Sequence, residues 1–227
     1  MKHLTSAVFL CSLFSAQSLA TTPSTFSTEW ISSKPEVLTY RSTSSQGEWL
    51  YQVSVFKRES IIELYMNIFS PGFAKTVSGT MTTGMIPLRS TSKIIVNDQV
   101  VMETKCSYES DRVTISTTML PYNQTMANTP SFSKPVTDFS QVPILARTLR
   151  LGKGLEYSSS SMNPQTNTLT PLTAKVIGEE SIGKVDCYKV ELNDFEGQSI
   201  YWIEKGSHRR VMRVEQPQAH RTTELIQ

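Results

Sequence analysis

Histidine is almost missing from this chain. Only three occur in 227 residues, and two of them, His208 and His220, lie beyond the first few positions. Neither sits in a His-Glu-x-x-His pattern, and no Cys-x-x-Cys is present, so the usual zinc-ligand spacings are excluded. A Gly-x-Ser-x-Gly elbow and a glycine-rich phosphate loop are also lacking, which removes the common hydrolase and nucleotide-binding signatures. Glu179-Glu180 is an adjacent acidic pair, but neighbours on a strand point to opposite faces. Those glutamates read as solvated. With no catalytic, metal or cofactor pattern, the expectation is a non-enzymatic protein without a cofactor.

Two further absences narrow the class. No stretch supplies the roughly 20 continuous apolar residues of a transmembrane helix. Charge is nearly balanced, with 22 Lys and Arg against 20 Asp and Glu, which gives no electrostatic case for nucleic acid or an anionic membrane. The densest basic cluster, His208-Arg209-Arg210 with Arg213 nearby, reads as a solvated turn.

The first twenty residues carry a pattern of their own. Lys2 and His3 give a positive start, Leu4 to Leu13 is largely apolar, and the stretch ends in Ser18-Leu19-Ala20. Small residues at the two positions a signal peptidase inspects complete a secretory signal. The expectation is export to the periplasm, cleavage after Ala20, and a single domain over residues 21–227. Cys11 is preceded by Phe9 and Leu10, too bulky for a lipoprotein signal, so no lipid anchor is expected. Cys106 and Cys187 then remain. Cys106 shares strand parity with apolar Val100, Met102 and Tyr108, whereas Cys187 shares it with Lys189 and Glu191. In one sheet the two sulfurs would lie on opposite sides and stay unpaired.

Period-two alternation runs through most of the remaining chain. Residues 48–56 place Trp49, Tyr51, Val53 and Val55 on one face, and residues 61–69 place Ile62, Leu64, Met66 and Ile68 on one face. The short polar interval 57–60 between them predicts an antiparallel hairpin. A Thr-rich, more exposed strand is expected over 75–85, and further strands over 93–96, 100–108, 113–120, 155–159, 172–178, 185–192, 199–204, 211–215 and 222–226. Residues 121–137 are rich in Pro, Ser, Thr and Asn and read as a long loop. Phe139, Val142, Ala146 and Leu149 recur at helical spacing, predicting one short helix over 138–149 with Pro143 in its first turn. The fold class is mainly β: an antiparallel, strongly curved or half-open β-barrel. No long helix separates the strands, which argues against a parallel α/β sheet.

Large apolar side chains on strands with one helix to cover them need a closed core, a docked partner or a ligand. Trp49, Tyr51, Leu64, Met66 and Trp202 are the candidates for a concave apolar surface, partly covered by Phe139 and Leu145. A lipid or other apolar small molecule would be held there. The alternative is a structural or accessory protein whose sheet docks another envelope protein.

The C-terminal part resembles a known family. Arg147-Thr148-Leu149-Arg150-Leu151-Gly152 looks like its helix end entering a strand. Val176-Ile177-Gly178-Glu179-Glu180, with Gly183-Lys184-Val185-Asp186-Cys187-Tyr188-Lys189-Val190, is similar to its "V-x-G-x-E … G-x-x-x-C-x-K-V" stretch. Ile200-Tyr201-Trp202-Ile203, with Arg209 to Glu215, resembles its ending, although Val211 or Met212 stands where that family has proline. The family is an uncharacterised bacterial one, domain of unknown function three-one-zero-eight. There is also a general similarity to the half-open β-barrels of the periplasmic lipoprotein carriers LolA and LolB. The resemblance implies a curved sheet and an envelope location, and carries no catalytic residue.

Overall fold

The computed structural model describes residues 25–133 and 136–226. The first twenty residues, and with them the expected secretion signal and Cys11, lie outside the described residues. Fifteen strands make up one sheet: β1 (Glu36–Ser44), β2 (Gly47–Arg58), β3 (Ile61–Ser70), β4 (Phe73–Thr82), β5 (Pro87–Val96), β6 (Gln99–Tyr108), β7 (Val113–Met119), β8 (Gln124–Asn128), β9 (Val136–Asp138), β10 (Glu156–Asn163), β11 (Thr168–Ile182), β12 (Val185–Asp194), β13 (Gly197–Glu204), β14 (Val211–Gln216) and β15 (Arg221–Leu225). Their spatial order is β8 to β1 and then β15 down to β9. All neighbours are antiparallel except β9 and β10. This is the expected antiparallel, strongly curved sheet. It does not close, because among the described residues no ladder joins β8 to β9.

The meander sorts the turns. Those at 45–46, 71–72, 97–98, 195–196 and 217–220 lie at one end of the sheet, here the upper end. Those at 59–60, 83–86, 183–184 and 205–210 lie at the lower end. The expected helix is shorter than its pattern: a 3-10 turn (Phe139–Gln141) leads into α1 (Val142–Thr148), with Pro143 in the first turn. Six of the seven residues of α1 are buried, because the helix lies against the inner face of the sheet as a plug. Leu145, Ala146 and Leu149 pack there against Leu38, Leu64 and Val190 from the surrounding strands.

Three expectations are revised. The segment read as a loop over 121–137 contains β8, whose five residues are all exposed. It is an edge strand held by its backbone ladder to β7, so it has no buried face to produce alternation. β4, expected to be exposed, buries Val77, Gly79 and Met81 on its inner side. The cluster 208–210 is not a free turn: the carbonyls of His208 and Arg209 accept from buried Arg147, at 2.8 and 2.9 Å. Cys106 and Cys187 are both buried and unpaired, the first on the inner face, the second on the outer.

The upper end of the plug is fixed by Asp138, which is 1% exposed. Its carboxyl accepts from the Ser90 hydroxyl at 2.6 Å, from the Tyr108 hydroxyl, and from both the backbone N–H and the hydroxyl of Ser140. These bonds tie β9 across the inner face to β5 and β6. Beside them Val136 and Met162 pack on Tyr108, Val113 and Ile115. Removing a buried acceptor leaves each of its donors unsatisfied at about 1–3 kcal/mol, so Asp138→Ala should lower the unfolding free energy by at least about 3 kcal/mol. Urea titration checks this, and a loss below about 1 kcal/mol would contradict the role given to Asp138.

Candidate functional site

The plug does not fill the whole concave face. Above α1 a half-open cavity of about 240 Å³ remains, between the start of the helix and strands β1–β4 and β12–β15. Its walls are set by strand parity. Tyr40, Tyr51, Met66 and Ile68 point inward from adjacent strands, with Tyr40 opposite Tyr51 and Tyr51 opposite Ile68. Val142 and Ile144 of α1 form the floor, and Val211 and Val214 complete the apolar lining. Such a mostly apolar concavity with few polar groups is the usual character of a small-molecule site. The volume lies below the roughly 300–1,000 Å³ of drug-sized pockets, so it suits a small ligand or one end of a longer one.

Polar groups also enter the wall. Asp194 and Glu196 come from the β12–β13 hairpin, whose tight turn uses Gly197 at φ +95°. Glu196 accepts from Arg221 at 3.2 Å and from Gln216 at 3.0 Å, so both charges of that pair are engaged. At the floor, Arg147 is paired with Glu36 at 2.7 Å. Burial pushes the Tyr40 hydroxyl up to about 12 and raises Tyr51, which keeps both phenols neutral. Burial likewise lowers the Lys75 ammonium and pushes the Asp194 carboxyl up to about 6.

A second lobe of about 40 Å³ lies beside the first and shares Met66, Lys75, Phe139 and Ser140 with it. Phe139 stands between the two lobes. Its ring packs edge-on against Phe195 at 4.2 Å, which links the plug to the β12–β13 hairpin.

Of the seven residues singled out from sequence, Tyr51, Met66 and Phe139 line the cavity. Leu64 and Leu145 are on the inner side but sealed in the packed core, at 1% and 0% exposure. Trp49 has the inward parity of Tyr51 but is not part of the lining. Trp202 faces outward, opposite Lys189 and Arg213, whose charged groups cover its ring at 4.8 and 5.7 Å. The alternation of Tyr201 and Ile203, both core residues, already puts Trp202 on the other face. Lys75, Asp194, Glu196 and Arg221 were missed. For Lys75 a signal existed: it has the inward parity of Val77, Gly79 and Met81. Asp194 and Glu196 lie in a hairpin turn, where charge is ordinary and parity says little.

The Asp194 carboxyl gives a pH test. Its folded pKa, about 6, lies above the ordinary 3.8 because burial disfavours the charge. The folded state therefore holds its proton more tightly, and this contribution to stability falls as pH rises through that window. Asp194→Asn removes the ionisation and retains an oxygen to accept from the Glu196 N–H, a 2.8 Å bond. Thermal unfolding of variant and wild type should show a stability advantage for the variant that grows from about pH 4 to about pH 7 and then levels. An advantage independent of pH would contradict the burial assigned to Asp194.

No family model matches the chain, and no curated protein matches it either. Among solved structures, it is similar to a β-barrel-like protein from Brucella abortus, described as a domain of unknown function, DUF1849. The match covers 87% of this chain and 98% of that one, with a TM-score of 0.58 at 9% identity. At that identity the likeness concerns the fold alone.

Proposed function

We propose that the protein is an exported, non-enzymatic envelope protein that binds the apolar part of a lipid or similar small molecule in the cavity above α1. The observation that carries this reading is the half-open, largely apolar space left between plug and sheet, walled by Met66, Ile68, Val142, Ile144 and Val214. A folded core is normally packed to crystal-like density. Below the cavity the plug and the strands around it are sealed from solvent, with Leu64, Leu145 and Ile203 at most 1% exposed. A space of about 240 Å³ above such a core is what a guest molecule would need. Export rests on the positive, apolar and small-residue order of residues 1–20. The periplasm is the compartment proposed.

Docking of another envelope protein is the second reading, favoured by one feature. The β8 edge is fully exposed, with Tyr122 at 69% and Met126 at 62% exposure beside an unpaired row of backbone groups.

A neutral dye, N-phenyl-1-naphthylamine, separates the two. Protein from Thr21 onward should enhance its emission saturably, and Met66→Glu, which places a charge in the wall, should weaken binding at least tenfold with an unchanged circular dichroism spectrum. Wild-type protein that binds no dye would overturn the cavity reading and leave docking through β8 in its place.

A further inference from the structure

Among the described residues, one of the cations that line the cavity makes no direct ion pair. Arg147 is paired with Glu36 and Arg221 with Glu196. Lys75 makes no hydrogen bond or ion pair among the described residues, although Glu196 and Asp138 contribute to its field. It lines both lobes, the larger apolar one and the smaller one. A half-buried ammonium without a direct ion pair is unfavourable, and an anion in contact with it relieves that cost. The smaller lobe is mostly apolar but carries hydroxyl and amide groups as well, from Ser92, Thr104 and Asn163. Its volume, about 40 Å³, is enough for a compact oxyanion but not for a chain.

Resting on the binding function proposed above, we infer that the ligand is a single-chain anionic amphiphile. Its hydrocarbon end lies over Val142 and Ile144 in the large lobe, and its carboxylate or phosphate pairs with the Lys75 ammonium beside Phe139. Two lobes joined at a lysine match one chain and one head. The size of the large lobe suits one chain better than the several chains of a complete membrane lipid.

The test compares dodecanoate, dodecyl phosphate and uncharged dodecanol as displacers of N-phenyl-1-naphthylamine at pH 7.5. One or both anions should bind at least tenfold more tightly than dodecanol, and which anion leads identifies the head as carboxylate or phosphate. Lys75→Met keeps the apolar stem and should remove that advantage, so that the anions bind no more tightly than dodecanol. If dodecanol binds wild type as well as the anions do, the anionic head is overturned and the apolar site stands. If dye and all three displacers fail to bind, the site itself fails. Lys75→Met protein that retains the anion preference would refute the role of Lys75.

Discussion

The arrangement depends on one buried cation. Arg147, 1% exposed, is the largest fully buried side chain among the described residues. Its guanidinium donates to Glu36 and to the carbonyls of His208 and Arg209, and it lies 3.8 Å from the centre of the Trp30 ring. An isolated charge in that position would be strongly unfavourable, so the partners must be in place for the protein to fold. They come from β1, from the turn between β13 and β14, and from the segment before β1. A helix of seven residues is far too short to be stable alone. Arg147 holds it at the lower end, Asp138 holds its lead-in at the upper end, and between them α1 becomes a fixed insert.

The cavity follows from that fixed insert. An antiparallel sheet of this length must curl, since strand twist accumulates. Its concave face is then wider than a single short helix. Anchored at both ends, α1 cannot shift to fill the upper part, so space remains there. Side-chain period puts apolar residues from β2 and β3 on one side of it and Tyr201, Val211 and Val214 on the other. The charged groups arrive from the β12–β13 hairpin, from β15, and from Lys75 on β4. The space is therefore apolar over the helix and charged toward the upper turns of the sheet.

Much of the architecture was legible in the chain, because period-two alternation in β2, β3, β6 and β12 reflects one face turned toward the interior. The helix was legible from Phe139, Val142, Ala146 and Leu149. What escaped detection had a physical reason in each case. β8 buries nothing, so its sequence is under no alternating constraint. β1 puts Ser42 inward at 0% exposure, where its hydroxyl accepts from Thr223, so its pattern looks polar. Trp202 was assigned inward for its size, although large aromatics on outer faces can be buried by lysine and arginine stems. The cavity itself was not readable, since it is set by where the plug stops. Its anchors were hidden too: Arg147 lies in the helix, but its partners at Glu36 and 208–209 are brought to it only by the fold.

The central claim is that the space above α1 is an occupied site. The most direct measurement is native mass spectrometry of the protein isolated from its own source, without detergent or organic solvent. The account predicts a second species, heavier than the polypeptide by the mass of one single-chain amphiphile, which disappears after lipid extraction. A single species at the bare polypeptide mass, unchanged by incubation with such amphiphiles, would contradict it.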